Sequence, residues 1–551
     1  NDLFSKYQTT GTWYAHASVG CLHVRPVLNL KQEMDARKLR AITEETFEIV
    51  REYKGSHSGE HGDGIVRSEF HEVMFGKRII KAFNDLKKIF DPNDLLNPGK
   101  IVNPSKMDDR SLFRYNLDYS ESNLAEGLDW SEWGGFDRAV EMCNNNGACR
   151  KFNSEVMCPS YRVTQDEKHL TRGRANVLRL ALSGQLGQNA FTSKEMYETM
   201  SLCVGCKACK RECPTGVDMN RMKTEFLYHY NKKNGVPLRE KLFSYLPRYS
   251  HILTKFGKLI NLRDEIHVFS LISEKFFGIT SKRKLPRWDS EPFSAKEASQ
   301  IGSGTEVVLF ADSFNTYFEP KILRDGLALL ENAGFKVIIP SLKNSRKNLC
   351  CGRTFLSSGL IDEAKIEAKN LVNNLSQYID RGIPILGLEP SCIFTIKDEI
   401  PNILPCERSE KLAQNIQLLE EYFFQELKAN RLKINKKKSK INKVLIHGHC
   451  HQKAFDSFNG TVKLLESIEG IVVEPISSSC CGMAGSFGYQ SENYEVSMRM
   501  AELSLLPHIR KENENVIITS SGTSCRQQIK HGVDRTVLHP ISLLRELCSL
   551  V

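Results

Sequence analysis

The residues of this chain best equipped for chemistry are its cysteines, and the densest run of them is Cys203-Val-Gly-Cys206-Lys-Ala-Cys209-Lys-Arg-Glu-Cys213-Pro214. Three thiols spaced by two residues can close on one iron–sulfur cluster. A fourth, three residues on and followed by proline, reaches toward a second cluster. Such a run implies a partner motif, and it is met upstream in Cys143-Asn-Asn-Asn146-Gly-Ala-Cys149 with Cys158-Pro159 beyond it. By the crossing pattern Cys158 joins Cys203, Cys206 and Cys209 as four thiolates, which favours [4Fe–4S] over a zinc ribbon. Cys143, Cys149 and Cys213 make only three, because Asn146 stands in the middle position. Three outcomes stay open for that set: a [3Fe–4S] cluster, a [4Fe–4S] cluster with a non-thiolate fourth ligand, or no cluster. Arg172, Arg174 and Arg179 lie between the motifs and would raise the potential of a net-negative cluster beside them.

Seventeen cysteines without a charged-then-apolar leader argue for metal ligation in a reducing compartment and against a disulfide framework. Cys21, Cys406 and Cys548 stand alone and read as buried small hydrophobes. The remaining seven belong to an internal repeat. Glu306-Val-Val-Leu-Phe-Ala-Asp-Ser313 matches Lys443-Val-Leu-Ile-His-Gly-His-Cys450; each copy then carries a second strand, a Cys-Cys-Gly (Cys350, Cys351; Cys480, Cys481) and a last cysteine, Cys392 or Cys525. Strands alternating with helices imply parallel sheets, with the cysteines at the strands' C-terminal ends. The second copy has the full set Cys450, Cys480, Cys481 and Cys525, where a cluster is expected. The first, with Ser313 replacing a cysteine, keeps Cys350, Cys351 and Cys392 and is the weaker case. His449 and His451 read as helix caps before ligands. The repeat resembles the cysteine-rich domain shared by the heterodisulfide reductase subunit, the anaerobic glycerol-3-phosphate dehydrogenase iron–sulfur subunit and lactate-utilisation proteins.

At the N-terminal end, His16 and His23 are seven apart, which on one straight strand puts them on opposite faces; a turn at Val19-Gly20 would reunite them. Two helices, about 31–53 and 69–90, flank Ser58-Gly-Glu60-His61-Gly-Asp63-Gly, and the block closes with Asp91-Pro-Asn-Asp-Leu-Leu-Asn97-Pro-Gly-Lys. Two imidazoles and a Glu-His pair supply three ligands for a divalent metal and one spare base. This block resembles the C-terminal substrate domain of FAD-linked oxidases of the vanillyl-alcohol-oxidase superfamily, in the D-lactate and D-2-hydroxyglutarate dehydrogenase branch. The resemblance implies that His16, His23 and Glu60 bind a divalent metal such as zinc, that His61 takes the substrate's hydroxyl proton, and that Asn97 lies near FAD. It departs from the family at Ser18-Val-Gly-Cys21 and at Arg25, which is either a carboxylate clamp or a structural ion-pair partner. The family's FAD-binding domain precedes this block, and its glycine-rich loop is not found in these residues; truncation is the expectation, a separate flavin subunit the alternative.

The organisation that follows is multidomain α/β and α+β. An α+β substrate domain covers 1–103, a linker 104–133, a helical ferredoxin-type iron–sulfur domain 134–235 and a helical connector 236–304. The duplicated α/β cysteine-rich domain occupies 305–405 and 443–551, joined by a helix and basic linker at 406–442. The formal charge of +10 is modest for 551 residues, and the run Lys436, Lys437, Lys438 and Lys440 reads as a solvated linker. No apolar run approaches a membrane span. The expected activity is oxidation of a D-2-hydroxy acid, with electrons passed through iron–sulfur clusters to a quinone or cytochrome. The expected setting is cytoplasmic, with peripheral contact on the inner face of the membrane, and without nucleic acid. The alternatives are an electron-transfer subunit of a larger respiratory complex and a cysteine redox sensor.

Overall fold

The computed structural model describes residues 1–116, 119–120, 122, 124–153, 156–298, 304–342, 348–439 and 441–550; Lys440 of the basic run lies outside the described residues. The chain divides into two compact units, Asn1–Glu121 with Ser183–Gln185, and Ser122–Leu182 with Leu186–Val551.

In the first unit, β1 (Gly11–His16) and β2 (Cys21–Pro26) form an antiparallel hairpin whose register runs from Gly11↔Pro26 to His16↔Cys21. The reversal is a 3₁₀ turn at Ala17–Val19 closed by Gly20 at φ 65°, a left-handed conformation that glycine adopts without steric cost. Helices Glu33–Glu52 and His71–Phe90 follow, the second interrupted at Gly76 (φ 79°, ψ 158°). After it, the Asp91 carboxylate accepts the backbone N–H groups of Leu95 (3.0 Å) and Leu96 (2.8 Å), which shapes the loop that carries Asn97. The Lys87 ammonium, followed by those N–H groups, holds the Asp91 carboxyl down at about 2.

The second unit begins with short helices around the cysteine motifs: Phe136–Glu141, Pro159–Thr164, Thr171–Leu182, Lys194–Ser201, Ala208–Glu212 and Met219–Asn234. The buried Glu225 on the last of these accepts hydrogen bonds from Gly127 N (2.7 Å), Leu128 N (2.9 Å) and Trp130 Nε1 (3.0 Å). The end of the stretch read as a linker therefore closes the iron–sulfur module, with the Trp130 ring buried beneath the Arg221 guanidinium at 4.5 Å. A buried carboxylate needs this many donors to stay charged, and nothing in the local polarity of 104–133 announces it.

Two four-stranded parallel sheets complete this unit. The first contains β3 (Glu306–Phe310), β4 (Lys336–Ile338), β5 (Ile385–Gly387) and β6 (Ile416–Leu418), ordered β4-β3-β5-β6. After β7 (Ile434–Lys436), the second contains β8 (Lys443–Ile446), β9 (Val472–Pro475), β10 (Ile517–Thr519) and β11 (Val537–Leu538), ordered β9-β8-β10-β11. In chain order within each copy the arrangement is the same, so the sequence repeat is a structural repeat. The central strands read as unbroken apolar runs because they are buried on both faces. A last strand, β12 (Cys548–Leu550), pairs antiparallel with β7. Of the three isolated cysteines only Cys548 is buried; Cys21 is half-buried, and Cys406 is exposed where the chain enters helix Glu407–Asn415. Among the described residues, no helix is long and apolar enough to cross a membrane.

Candidate metal and cluster sites

The hairpin turn brings His16 and His23 to ring centroids 5.0 Å apart, and the loop after helix Glu33–Glu52 delivers Glu60 to both. Glu60 Oε1 lies 2.5 Å from His23 Nε2, 3.1 Å from His61 Nε2 and 3.4 Å from His16 Nε2. One donor atom from each of His16, His23 and Glu60 falls within 4.8 Å of the others. Two imidazoles and a carboxylate are a donor set suited to a divalent ion with open positions. Desolvation pushes the Glu60 carboxyl up, but the charges of His16, His23 and His61 together outweigh it and hold the group below its ordinary value. Tyr14, opposite His23 in the register, stacks on that ring at 4.4 Å and carries the Arg25 guanidinium over its face at 5.0 Å. Arg25 is thus fixed to the same hairpin by a cation–π contact, while Asn97 sits on its exposed loop at φ 50°. A second triad, His57, Asp63 and His71, also places donor atoms within 4.8 Å, with His71 Nε2 2.9 Å from Asp63 Oδ2. Spacing gave no hint of it, since His57 and His71 belong to different elements.

In the second unit, Cys158 is buried at φ 51°, just before helix Pro159–Thr164. Its sulfur accepts the Thr171 N–H at 3.2 Å, and Cys209 Sγ accepts the Met219 N–H at 3.3 Å. Such N–H···S bonds are what buried cluster sulfurs require. Burial pushes the thiols of Cys158, Cys206 and Cys209 up, and the proximity of Cys203 raises all three further. Buried thiolates that raise one another are costly without a cation beside them, a charge that cluster iron would supply. Arg174 counters Cys158 electrostatically. In the other set, burial raises Cys149 to about 11, with Cys158 and Cys143 as charged neighbours. The nearest side-chain partner of Cys213 is Thr215 Oγ1 at 3.4 Å. Asn146 is exposed and its Oδ1 accepts the Ala148 N–H at 2.8 Å, so its side chain is spent on its own loop.

The loop holding Cys206 is clamped from both repeats. Gly205 is left-handed (φ 60°), and a Cβ there would meet Asn220 Oδ1 at 2.6 Å. Lys207, also left-handed and fully buried, pairs with Asp398 (2.8 Å) and Glu399 (3.0 Å), and Arg353, next to the first Cys-Cys-Gly, pairs with Glu399 at 2.8 Å. From the second repeat, His451 Nε2 hydrogen-bonds Gly205 O at 3.1 Å, and the charge on Cys450 raises Cys206. Cys206 and Cys450 are therefore electrostatic neighbours.

Both repeats gather their cysteines beyond the C-terminal ends of the strands. In the second, Cys450, Cys480, Cys481 and Cys525 are all buried, and neighbouring thiols in that series perturb one another's titration. Gly482 N donates to Cys480 Sγ (3.5 Å), as Gly352 N does to Cys350 Sγ (3.3 Å). In the first, Cys350, Cys351 and Cys392 perturb one another in the same way and line one cavity together with Ser313 and Asp312. His449 caps helix Cys450–Ala454 through the His451 N–H. The histidine that the spacing missed is His447: it groups with Cys481 and Cys525, its Nδ1 meets Ser478 Oγ at 2.8 Å, and burial lowers it to about 4, which keeps it neutral and able to accept.

Residues 1–101 match the profile of the C-terminal domain of FAD linked oxidases, 139–217 that of a 4Fe-4S dicluster domain, and 444–530 that of a cysteine-rich domain. The chain is 26% identical to D-2-hydroxyglutarate dehydrogenase of Escherichia coli K12 over 97% of its length, covering 55% of that protein. It is 27% identical to the Pseudomonas putida protein of the same name, over 98% of this chain and 56% of the relative. The C subunit of anaerobic glycerol-3-phosphate dehydrogenase from E. coli K12 is 26% identical over 56% of this chain and 77% of the relative. The chain spans about half the length of the D-2-hydroxyglutarate dehydrogenases that it matches. It carries an FAD-linked oxidase C-terminal domain, a 4Fe-4S dicluster domain and a cysteine-rich domain, and its homologues over nearly its whole length are D-2-hydroxyglutarate dehydrogenases.

Proposed function

We propose that this chain forms the substrate-side and electron-relay parts of an FAD- and iron–sulfur-dependent dehydrogenase that oxidises a D-2-hydroxy acid, of the D-2-hydroxyglutarate or D-lactate class, to the 2-oxo acid. The observation that carries the reading is the convergence of His16, His23 and His61 on one carboxylate oxygen of Glu60. A divalent ion such as zinc, held by His16, His23 and Glu60, supplies Lewis-acid polarisation of an α-hydroxy-carboxylate, and FAD and iron–sulfur clusters supply two-electron and one-electron acceptors. His61, the most exposed of the imidazoles around Glu60, takes the hydroxyl proton, and Glu60, whose Oε1 lies 3.1 Å from its Nε2, stabilises the resulting cation. Arg25, held on Tyr14, offers its guanidinium fork to a substrate carboxylate. Asn97, on its exposed loop, would contact the flavin.

Cys158, Cys203, Cys206 and Cys209 hold a [4Fe–4S] cluster, and Cys450, Cys480, Cys481 and Cys525 hold another cluster. Cys143, Cys149 and Cys213 offer three thiolates, as a [3Fe–4S] cluster requires. Electrons leave for a quinone or cytochrome at the inner face of the cytoplasmic membrane. In the flavin-loaded protein, His61→Ala is expected to slow substrate-driven flavin reduction by ~10²–10⁴-fold while the electron paramagnetic resonance of the clusters is unchanged. Flavin reduction at the wild-type rate would remove His61 from this role.

A further inference from the structure

Two helices of the connector are turned inside out. Helices Gly257–Glu265 and His267–Phe277 are joined through Ile266, and the small polar side chains Asn261 and Ser270, with Glu274, face the protein. Asn261 is buried and exchanges hydrogen bonds with the Trp288 backbone, at 2.9 Å to O and 2.9 Å from N. Ser270 is buried, and Glu274 accepts the Ser281 N–H at 3.0 Å. The outward face is apolar: Leu259 is 66% exposed, Val268 59%, Ile272 45% and Phe276 72%. A solvent-facing helix normally shows the opposite pattern; Val268, Ile272 and Phe276 recur four apart on one side of helix His267–Phe277, and an exposed apolar face of this kind marks an interaction site.

The charges around this face are one-sided. Asp264 pairs with Arg263 and Glu265 with Arg287, and Glu274 is occupied by Ser281. Lys255, Lys258 and Lys275 are exposed and, among the described residues, make no ion pair. An apolar face rimmed by uncompensated lysines fits an anionic surface that is greasy beneath its headgroups. A second copy fits poorly, because a two-fold contact would set the same lysines against one another. Helix His267–Phe277 has 11 residues, too few to span a bilayer, so it would lie along the surface. We propose that this helix pair docks the protein on an anionic phospholipid bilayer, with Leu259, Val268, Ile272 and Phe276 entering the acyl boundary and Lys255, Lys258 and Lys275 meeting the headgroups.

The proposal extends the membrane-peripheral part of the reading above but rests on this surface, and its test measures binding without turnover. The full chain with its clusters is floated with vesicles of phosphatidylcholine alone or mixed with phosphatidylglycerol. Wild type is expected to float with the mixed vesicles, less so as salt is raised. The double variant Ile272→Asp, Phe276→Asp should bind at least about tenfold more weakly. Each of Lys255→Gln, Lys258→Gln and Lys275→Gln should weaken binding about fivefold. Failure of wild type to float, equal binding to both vesicle types, or variants that bind like wild type would each overturn the proposal. So would dissociation of a dimer by the aspartate variants in sedimentation velocity, which would assign the face to a second copy.

Discussion

At the residue scale, one carboxylate oxygen organises the first unit. Glu60 is the shared neighbour of three imidazoles, so Glu60→Gln should lower divalent-metal affinity by at least about 100-fold, read by calorimetric titration, because a direct ligand matters no less than the outer-shell partners that tune it. A second carboxyl makes a pH prediction. Glu420 is fully buried, its Oε1 accepts from Ser521 at 2.8 Å, its Oε2 has no partner, and desolvation pushes it from 4.5 to about 7. The folded state therefore keeps a proton that the unfolded state releases above about pH 4.5. Stability is lost as pH rises from there toward 7, by roughly 3 kcal/mol at most. Glu420→Gln should remove that slope, so that the thermal midpoints of variant and wild type separate between pH 5 and pH 8. Parallel profiles would show that Glu420 is charged in the fold. Sequence alone marked Glu60 through the adjacent His61, whereas Glu420 looks like any helical glutamate until its surroundings are known.

At the element scale, the two Cys-Cys-Gly turns share one design and differ in crowding. Gly352 and Gly482 are both left-handed, at φ 80° and 85°. A Cβ at Gly482 would meet Ser497 O at 2.4 Å, whereas at Gly352 the nearest atom is 3.5 Å away. Gly482→Ala is therefore expected to abolish the paramagnetic signal of the second-repeat cluster while leaving that of Cys158, Cys203, Cys206 and Cys209. Gly352→Ala should cost about 1 kcal/mol for its backbone alone. The turn that carries Lys207 makes a different prediction. Lys207→Met leaves Asp398 and Glu399 buried with less compensation, and a loss of about 3 kcal/mol or more is expected, seen as a fall in the thermal midpoint. Lys210 on Asp398, and Arg353 and Asn220 on Glu399, remain and set the lower end of that range. The glycines could be read from the motif, but the Lys207 pairs could not, because Asp398 is 191 positions away.

At the scale of the whole second unit, the iron–sulfur module is built into the cysteine-rich pair. Its core runs without a break from Trp130 and Phe226 to Ile361, Leu371 and Ile393 of the first repeat, so the ligand loops are held by tertiary packing and not by their own short helices. His451 of the second repeat bonds Gly205 O at 3.1 Å and the charge of Cys450 bears on Cys206, so on the proposed assignment the two four-thiol sites would adjoin and couple magnetically. Anaerobically reconstituted protein is expected to hold about eight irons in these two sites, and the reduced form to show spin-coupled, broadened signals. Cys481→Ser should remove about four irons and sharpen the remaining spectrum. Sharp, additive signals in the parent protein would place the two sites too far apart to couple.

What the amino-acid sequence determined by itself was local: which thiols are spaced to act together, where Asn146 and Ser313 stand in place of a cysteine, that two strand-helix repeats are copies, and that His16 and His23 need a turn at Gly20. These follow from spacing, because a few residues of backbone can reach only a few ångströms. The tertiary structure alone decided which sets adjoin, that the stretch before Trp133 closes on Glu225, that His447 is the imidazole beside Cys481 and Cys525, and that the connector shows an apolar face to solvent. Each of these depends on elements distant in the chain meeting through buried charge or packing, and periodicity does not encode such meetings.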